Sequence, residues 1–376
     1  MRIRDKIFSD NEINIGRQKE LDLARAFIIF CLALIHVTIE CSSDEALTSG
    51  IPYLFDTVIG GPFSAPMYMF VMGIGMVYTA KNTPYKHFVR GLKIFILGYL
   101  LNICRFVIPY SIGYAITGEY ATYIEPLIYK ALGNDILVFG GVAMMVMAFF
   151  IKLKLSNVVM LIIATIMCAF GTLLNGVDVG SPLGNIFLGY LIGTEDAAGM
   201  VLSDFPLLNW MMFPVCGYVF GSALKKVKDK KLFYLTFSVP AIIIAIMYFT
   251  YGIYFEIGMF FEGQNCYYHM IFSDVLASLL LTIGLIGVYY GLLNVIPKWI
   301  ENIAVSISGN ITSVYCIHWV LVSFVVNVWM YIVRGTTLLT SPQIVALGSA
   351  ISIASIVIAH YFRKFKERGK INAKIS

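Results

Sequence analysis

Hydrophobic residues fall in ten blocks along the chain, near 21–40, 62–80, 91–110, 135–151, 156–174, 207–224, 232–252, 271–296, 310–332 and 343–362. Short polar or charged segments separate them. Most approach the ~20 residues that cross a hydrocarbon core about 30 Å thick. The first block has no Pro or Gly between Ala26 and Ile35, so a helix is the natural reading. The pattern predicts an all-α, polytopic membrane bundle of about ten transmembrane helices. Between 175 and 206 an apolar section is too short to cross and rich in Gly. It predicts a re-entrant or surface-lying segment.

Composition agrees with the blocks. Of 376 residues, 59% are hydrophobic and 13% charged, with mean hydropathy +0.81. A soluble protein carries about 25% charge, so a globular enzyme on one anchor is excluded. The connections are too short for a soluble catalytic or nucleotide-binding module. We therefore expect one transmembrane domain over 1–376, with a polar segment at 1–20 and a basic tail at 363–376. The first block is too long for a signal-peptide core and lacks a small-residue cleavage site, so it reads as retained. The sequence has no phosphate-binding Gly loop, no metal motif and no internal repeat. Its seven cysteines show no CxxC or metal spacing,. Cys41 and Cys266 fall in outer segments and can pair.

Charge orients the blocks. Of the 27 Lys and Arg residues, all but Arg105, Lys130 and Arg334 fall in segments on one side, provided ten spans alternate. The positive-inside rule places that side, with both termini, in the cytoplasm. Acids such as Asp44, Asp56, Glu119, Asp178, Glu195, Glu256 and Glu262 collect on the other side.

Candidate chemistry begins in the first block. Arg25 and His36 are 11 residues apart, about three helical turns, so both project from nearly one face. Their separation along the axis is roughly 16 Å, half the hydrocarbon thickness. Glu40 shares the face, and Asp22 can pair with Arg25. Arg25 alone reads equally as a positive-inside anchor, and His36 alone as a packing histidine. Two ionisable groups on one face of one membrane helix favour function. Lys86, Arg90 and Lys93 lie one turn apart at the start of the third block. They are either anchors or a cradle for phosphates that Arg25 can join. His318, with Tyr315 and Trp319 beside it, is either packed or lines a donor channel. Arg105 reads as a snorkelling cation or as the partner of a carboxylate. Residues 253–270 mix aromatics with Glu256, Glu262 and His269. They form an aromatic belt and loop or an acceptor-binding surface.

The segment LDLARAFIIFCLALIH, which carries Arg25-x10-His36, resembles the first-helix signature of the membrane-bound acyltransferase-3 family. It also resembles the related heparan-alpha-glucosaminide N-acetyltransferase family, with Ala26 in place of the usual Gly. GPFSAPMYMFVMGIGMVYT, FPLLNWMMFPVCGYVFG and SGNITSVYCIHWVLV are similar to later segments of these families, in order. The resemblance implies a transmembrane acyltransferase that moves an acyl group, most simply acetyl, from cytoplasmic acetyl-CoA to an extracytoplasmic acceptor. That acceptor would be a cell-surface glycan or glycolipid, and the membrane a bacterial cytoplasmic membrane. Acetyl-CoA would be a donor substrate, with no resident cofactor, no metal and no nucleic-acid partner. His36 would be the base or acyl carrier, with Glu40 orienting it. Arg25, Lys86, Arg90, Lys93 and His318 would hold the donor, and Glu256, Glu262 and His269 the acceptor. The basic pattern reads Arg90-Gly91-Leu92-Lys93 where the family carries two arginines. His36 follows acyltransferase-3, since the N-acetyltransferase group often has Asn there. Ten spans with intramembrane charge also suit a transporter or flippase, although no inverted repeat is visible.

Overall fold

The computed structural model describes residues 3–79, 83–196, 203–259 and 267–375, with side chains as far as Arg368. Each of the ten apolar blocks is helical. The principal helices are α1 (Lys19–Cys41), α2 (Ala65–Tyr78), α3 (Pro84–Asn102), α4 (Ile108–Thr117), α5 (Ile136–Lys152) and α6 (Asn157–Leu173). They continue as α7 (Met212–Leu224), α8 (Lys230–Phe255), α9 (Phe272–Leu292), α10 (Lys298–Ser308), α11 (Ile311–Ser323) and α12 (Ser341–Ile375). Among the described residues the only extended pairings are two isolated bridges, Phe8 with Val227 and Val177 with Thr194.

Eight stretches are long and apolar enough to cross a membrane. Helices α2 and α6 are shorter, at 14 and 17 residues. The lipid-facing side of α6 is plain: Val158, Ile162, Ile166, Phe170 and Leu173 form an exposed stripe at helical spacing. Such a stripe would invite aggregation in water and is the normal contact with hydrocarbon. Helix starts are fixed by side chains. Asp135 accepts from the Ile136 amide, Ser156 from Val159 and Asp229 from Leu232, which satisfies amides the helix leaves unpaired. The protein is an all-α integral membrane bundle.

The chain divides into two compact units. The first comprises Met1–Arg17, Ala65–Asn102 and Ile128–Val288. Its helices approach through glycine. A Cβ on Gly91 would lie 2.7 Å from the Gly141 carbonyl, and one on Gly217 would strike the Phe70 carbonyl. Small residues allow this approach, where dispersion rather than water expulsion holds helices together. The polar start of the chain is folded onto the basic loop after α7. Ser9 donates to the Lys226 carbonyl at 2.8 Å, and Lys228 donates to Ile7 at 2.9 Å.

The second unit comprises Gln18–Ser64, Ile103–Leu127 and Tyr289–Ser376. Helix α1 buries Ala33, Val37 and Cys41 against Val322, Val326 and Met330, and against Ile344 and Ile351 of α12. Gly348 lets α12 approach Leu34, and Ser352 donates to the Phe30 carbonyl at 2.6 Å. Three segments of this unit are π-helical: Leu54–Ile59, Ile103–Val107 and Phe324–Arg334. The last follows α11 directly, and the middle one precedes α4.

Candidate active site

The second unit assembles a cluster of rings around His36. The His36 imidazole lies against the Trp319 ring, with centroids 3.8 Å apart and planes tilted by 33°. It stacks on His318 at 5.4 Å and 16°. Both partners come from α11. Trp319 is held from its own helix, its indole N–H donating to the Tyr315 hydroxyl at 2.9 Å. His318 is 1% exposed. Its Nδ1 lies 3.3 Å from the Val314 carbonyl, which fixes that nitrogen as the donor and leaves Nε2 with the lone pair. That Nε2 is buried and has no hydrogen-bond partner among the described residues.

Arg105 completes the cluster. It lies in the π-helical turn Ile103–Val107 and is 5% exposed. Its guanidinium carbon sits 4.3 Å from the Trp319 ring centroid and 4.5 Å from that of Phe106. The Arg105 carbonyl accepts a hydrogen bond from the Ser323 hydroxyl at the end of α11. One cation, one indole and two imidazoles thus share a buried, membrane-embedded site. It can move a proton and can stabilise a developing negative charge.

Arg25 lies on the same helix as His36. Its guanidinium is 3.9 Å from Asp22, with the Arg25 side chain 25% exposed and the Asp22 side chain 3% exposed. Asp22 also accepts from the Ser308 hydroxyl at 2.6 Å, and Lys19 pairs with Glu301 at 2.5 Å. These contacts pin the start of α1 to α10. Glu40 is half-buried at the far end of α1 and, among the described residues, makes no hydrogen bond to His36. The contacts of His36 are with the rings of α11.

Lys86, Arg90 and Lys93 are all exposed along one side of α3, in the first unit, while His87 beside them is buried. Glu256 is exposed and caps α8 in a left-handed conformation, φ 55°. Glu262 and Cys266 lie outside the described residues, and Cys41 is buried. His269, 4% exposed, is the hub of a polar cluster in the first unit. Its Nδ1 is 3.0 Å from Glu195, and its Nε2 is 3.0 Å from the Ser203 carbonyl and 3.2 Å from the Ser203 hydroxyl. Asn175 donates to the His269 carbonyl at 2.6 Å. Both imidazole nitrogens are engaged within the protein.

Sequence reasoning missed the placement of Arg105 and Trp319 against His36, and the union of Glu195 and Ser203 with His269. The only signals for the first were an arginine inside an apolar block and a tryptophan next to His318. Nothing along the sequence announces the second. Among the described residues no group of three His, Cys, Asp or Glu side chains could hold a metal ion.

No curated protein and no solved structure matches the chain. A family model described as an acyltransferase domain matches residues 18–361, nearly the whole chain and every residue of the His36 cluster. On that match, the chain belongs to the membrane acyltransferase-3 family.

Proposed function

We propose that this membrane acyltransferase moves an acetyl group from cytoplasmic acetyl-CoA to a hydroxyl or amine of a glycan or glycolipid on the opposite side of a bacterial cytoplasmic membrane. The observation that carries the reading is the stack of His36 on Trp319 and His318 in the interior of a membrane helix bundle. An imidazole there, with no hydrogen bond to any described residue, is free to take the proton of an acceptor or to take the acyl group itself. CoA is polyanionic and too large to cross, so its phosphates rest on cytoplasmic cations. Arg25, on the helix that carries His36, is one such cation, and Lys86, Arg90 and Lys93, exposed on α3, are others that can take this role. The thioester arm then enters along α1 toward His36, and His318 lines its path. Glu256, exposed at the end of α8, faces the acceptor's side.

The test is acetyl transfer from labelled acetyl-CoA by the full chain in membranes. His36→Ala should leave expression and donor binding near the parent level while transfer falls about 10²–10⁴-fold. Full transfer by His36→Ala would sink the assignment. His36→Asn separates two roles, since Asn hydrogen-bonds but takes no proton at neutral pH. Retained transfer in that variant would make His36 a positioning group, with the base elsewhere.

A further inference from the structure

The His36 cluster contains a cation that the acyl-transfer chemistry above has not used. Arg105 is buried, and its position is set from two directions. Its guanidinium lies over Trp319, and its carbonyl is held by Ser323. Each of these contacts ties it to α11, the helix that also presents His318. The backbone at this point is unusual. Arg105 sits inside the π-helical turn Ile103–Val107, and Ser323 immediately precedes the π-helical segment Phe324–Arg334. π-turns are rare and are frequent at functional sites. Here two of them are joined by the Ser323 bond. Arg105 lies inside the first of these turns, with its side chain on the Trp319 ring.

We infer that Arg105 stabilises the oxyanion formed when the acceptor adds to the acyl carbonyl beside His36. The inference rests on the acyl-transfer reading. Arg105 and His36 both lie against the Trp319 ring, at 4.3 and 3.8 Å from its centroid. The guanidinium carbon and the centre of the imidazole are therefore no more than about 8 Å apart, close enough for one reacting carbonyl to meet both groups,. In the step, the acceptor oxygen or nitrogen forms a bond to the thioester carbonyl carbon, and its proton goes to a nitrogen of His36. The carbonyl π electrons move to oxygen, where the charge faces Arg105. Collapse re-forms the carbonyl and breaks the C–S bond. The departing thiolate takes the proton back from His36, so the products are acylated acceptor and free CoA thiol. A fixed cation in a water-poor site stabilises such a charge far more than it would in water. Trp319 keeps the guanidinium in place by a cation–π contact, and this costs no reorganisation when the charge appears.

The experiment uses the full chain in membrane vesicles that retain host acceptors, with labelled acetyl-CoA as donor. It follows both label transfer and CoA thiol release. Arg105→Gln should lower kcat about 10²–10³-fold while donor KM and thermal midpoint stay near the parent values. Arg105→Lys keeps the charge but not the two-pronged geometry, and should fall between. Added guanidinium should restore part of the rate to Arg105→Ala, an effect that a purely structural arginine would not show. Should the Gln and Ala variants fail to fold, the Lys variant still decides through its kcat at unchanged KM. Arg105→Gln or Arg105→Lys with parent kcat, while His36→Ala is inactive, would overturn the role of Arg105 alone. A parent chain that neither transfers label nor releases CoA would overturn the acyl-transfer reading, and this inference with it.

Discussion

Arg25 and His36 illustrate what a single residue can and cannot disclose. Their shared face follows from 3.6 residues per turn, so it is readable in one segment of sequence. Their partners are not. His36 meets His318 and Trp319 through the packing of α1 with α11, and spacing within one segment does not say which other segment will pack on it,. Glu40 shows the converse, because helical spacing puts it on the face of His36 and yet no hydrogen bond joins the two among the described residues. Arg25 supports its own test. Asp22, 3.9 Å away, holds the guanidinium at the start of α1. Arg25→Ala should weaken acetyl-CoA binding by about 1.5–3 kcal/mol, the worth of a charge-assisted contact. Isothermal titration on folded protein measures this. Unchanged affinity would remove Arg25 from the donor site and leave it as a positive-inside anchor paired with Asp22,.

At the scale of elements, the apolar blocks yielded the helices because length and hydropathy alone define them. The π-helical turns stayed hidden, since one inserted residue leaves a run of Ile, Val and Phe looking the same. The segment 175–196 was also only partly legible. Its shortness was visible, but not the way it closes on itself. A seven-residue helix at Pro182–Leu188 packs its Asn185 side chain back onto the loop. Asn185 donates to Asp178 at 2.7 Å, and the Gly180 amide donates to the same carboxylate at 2.8 Å. These bonds hold Asp178 below the usual carboxylate range, the Asn185 bond being the larger cause. A depressed carboxyl adds stability above its unfolded pKa, near 3.9, and that stability is lost as pH falls through the folded value. Hydrogen exchange at the Val179 and Gly180 amides should therefore show steady protection from pH 7 to about 5 and a loss below about 4. Protection that already declines at pH 6 would place the control in another group. His269 anchors the same region from the far side. His269→Ala removes the imidazole that Glu195 and the Ser203 carbonyl both meet, and the unfolding free energy of the chain should drop by about 1.5–3 kcal/mol. Transfer per folded molecule should persist, which a direct acceptor contact by His269 would not allow.

For the whole molecule, the placement of charge predicts how many helices cross. Eight stretches meet the length criterion, while α2 and α6 fall short of it. If only those eight crossed, Lys86, Arg90 and Lys93 would follow one crossing and Lys152 and Lys154 three. Both groups would then lie opposite the Arg- and Lys-rich start of the chain, against the positive-inside rule. With α2 and α6 as spans, they follow two and four crossings and return to the cytoplasmic side. The short lengths are no obstacle. Helix α2 is about 21 Å long at 1.5 Å per residue, but Met67, Met69, Phe70, Ile74 and Met76 are fully buried. A helix surrounded by protein need not match the lipid thickness. Helix α6, at about 26 Å, sits at the lower end of the range for spanning helices and carries an exposed apolar stripe suited to lipid. A reporter inserted between Lys152 and Ser156 should thus report cytoplasm, as should one in the Lys225–Lys231 loop and one after Ser376. The first position carries the decision. Ten and eight crossings both return the 225–231 loop to the starting side, whereas only ten crossings do so for Lys152 and Lys154. An outer signal at 152–156 with an inner signal at 225–231 would establish the eight-span arrangement. It would also strand Lys86, Arg90 and Lys93 away from cytoplasmic CoA, leaving Arg25 as the only one of the four proposed donor cations on that side.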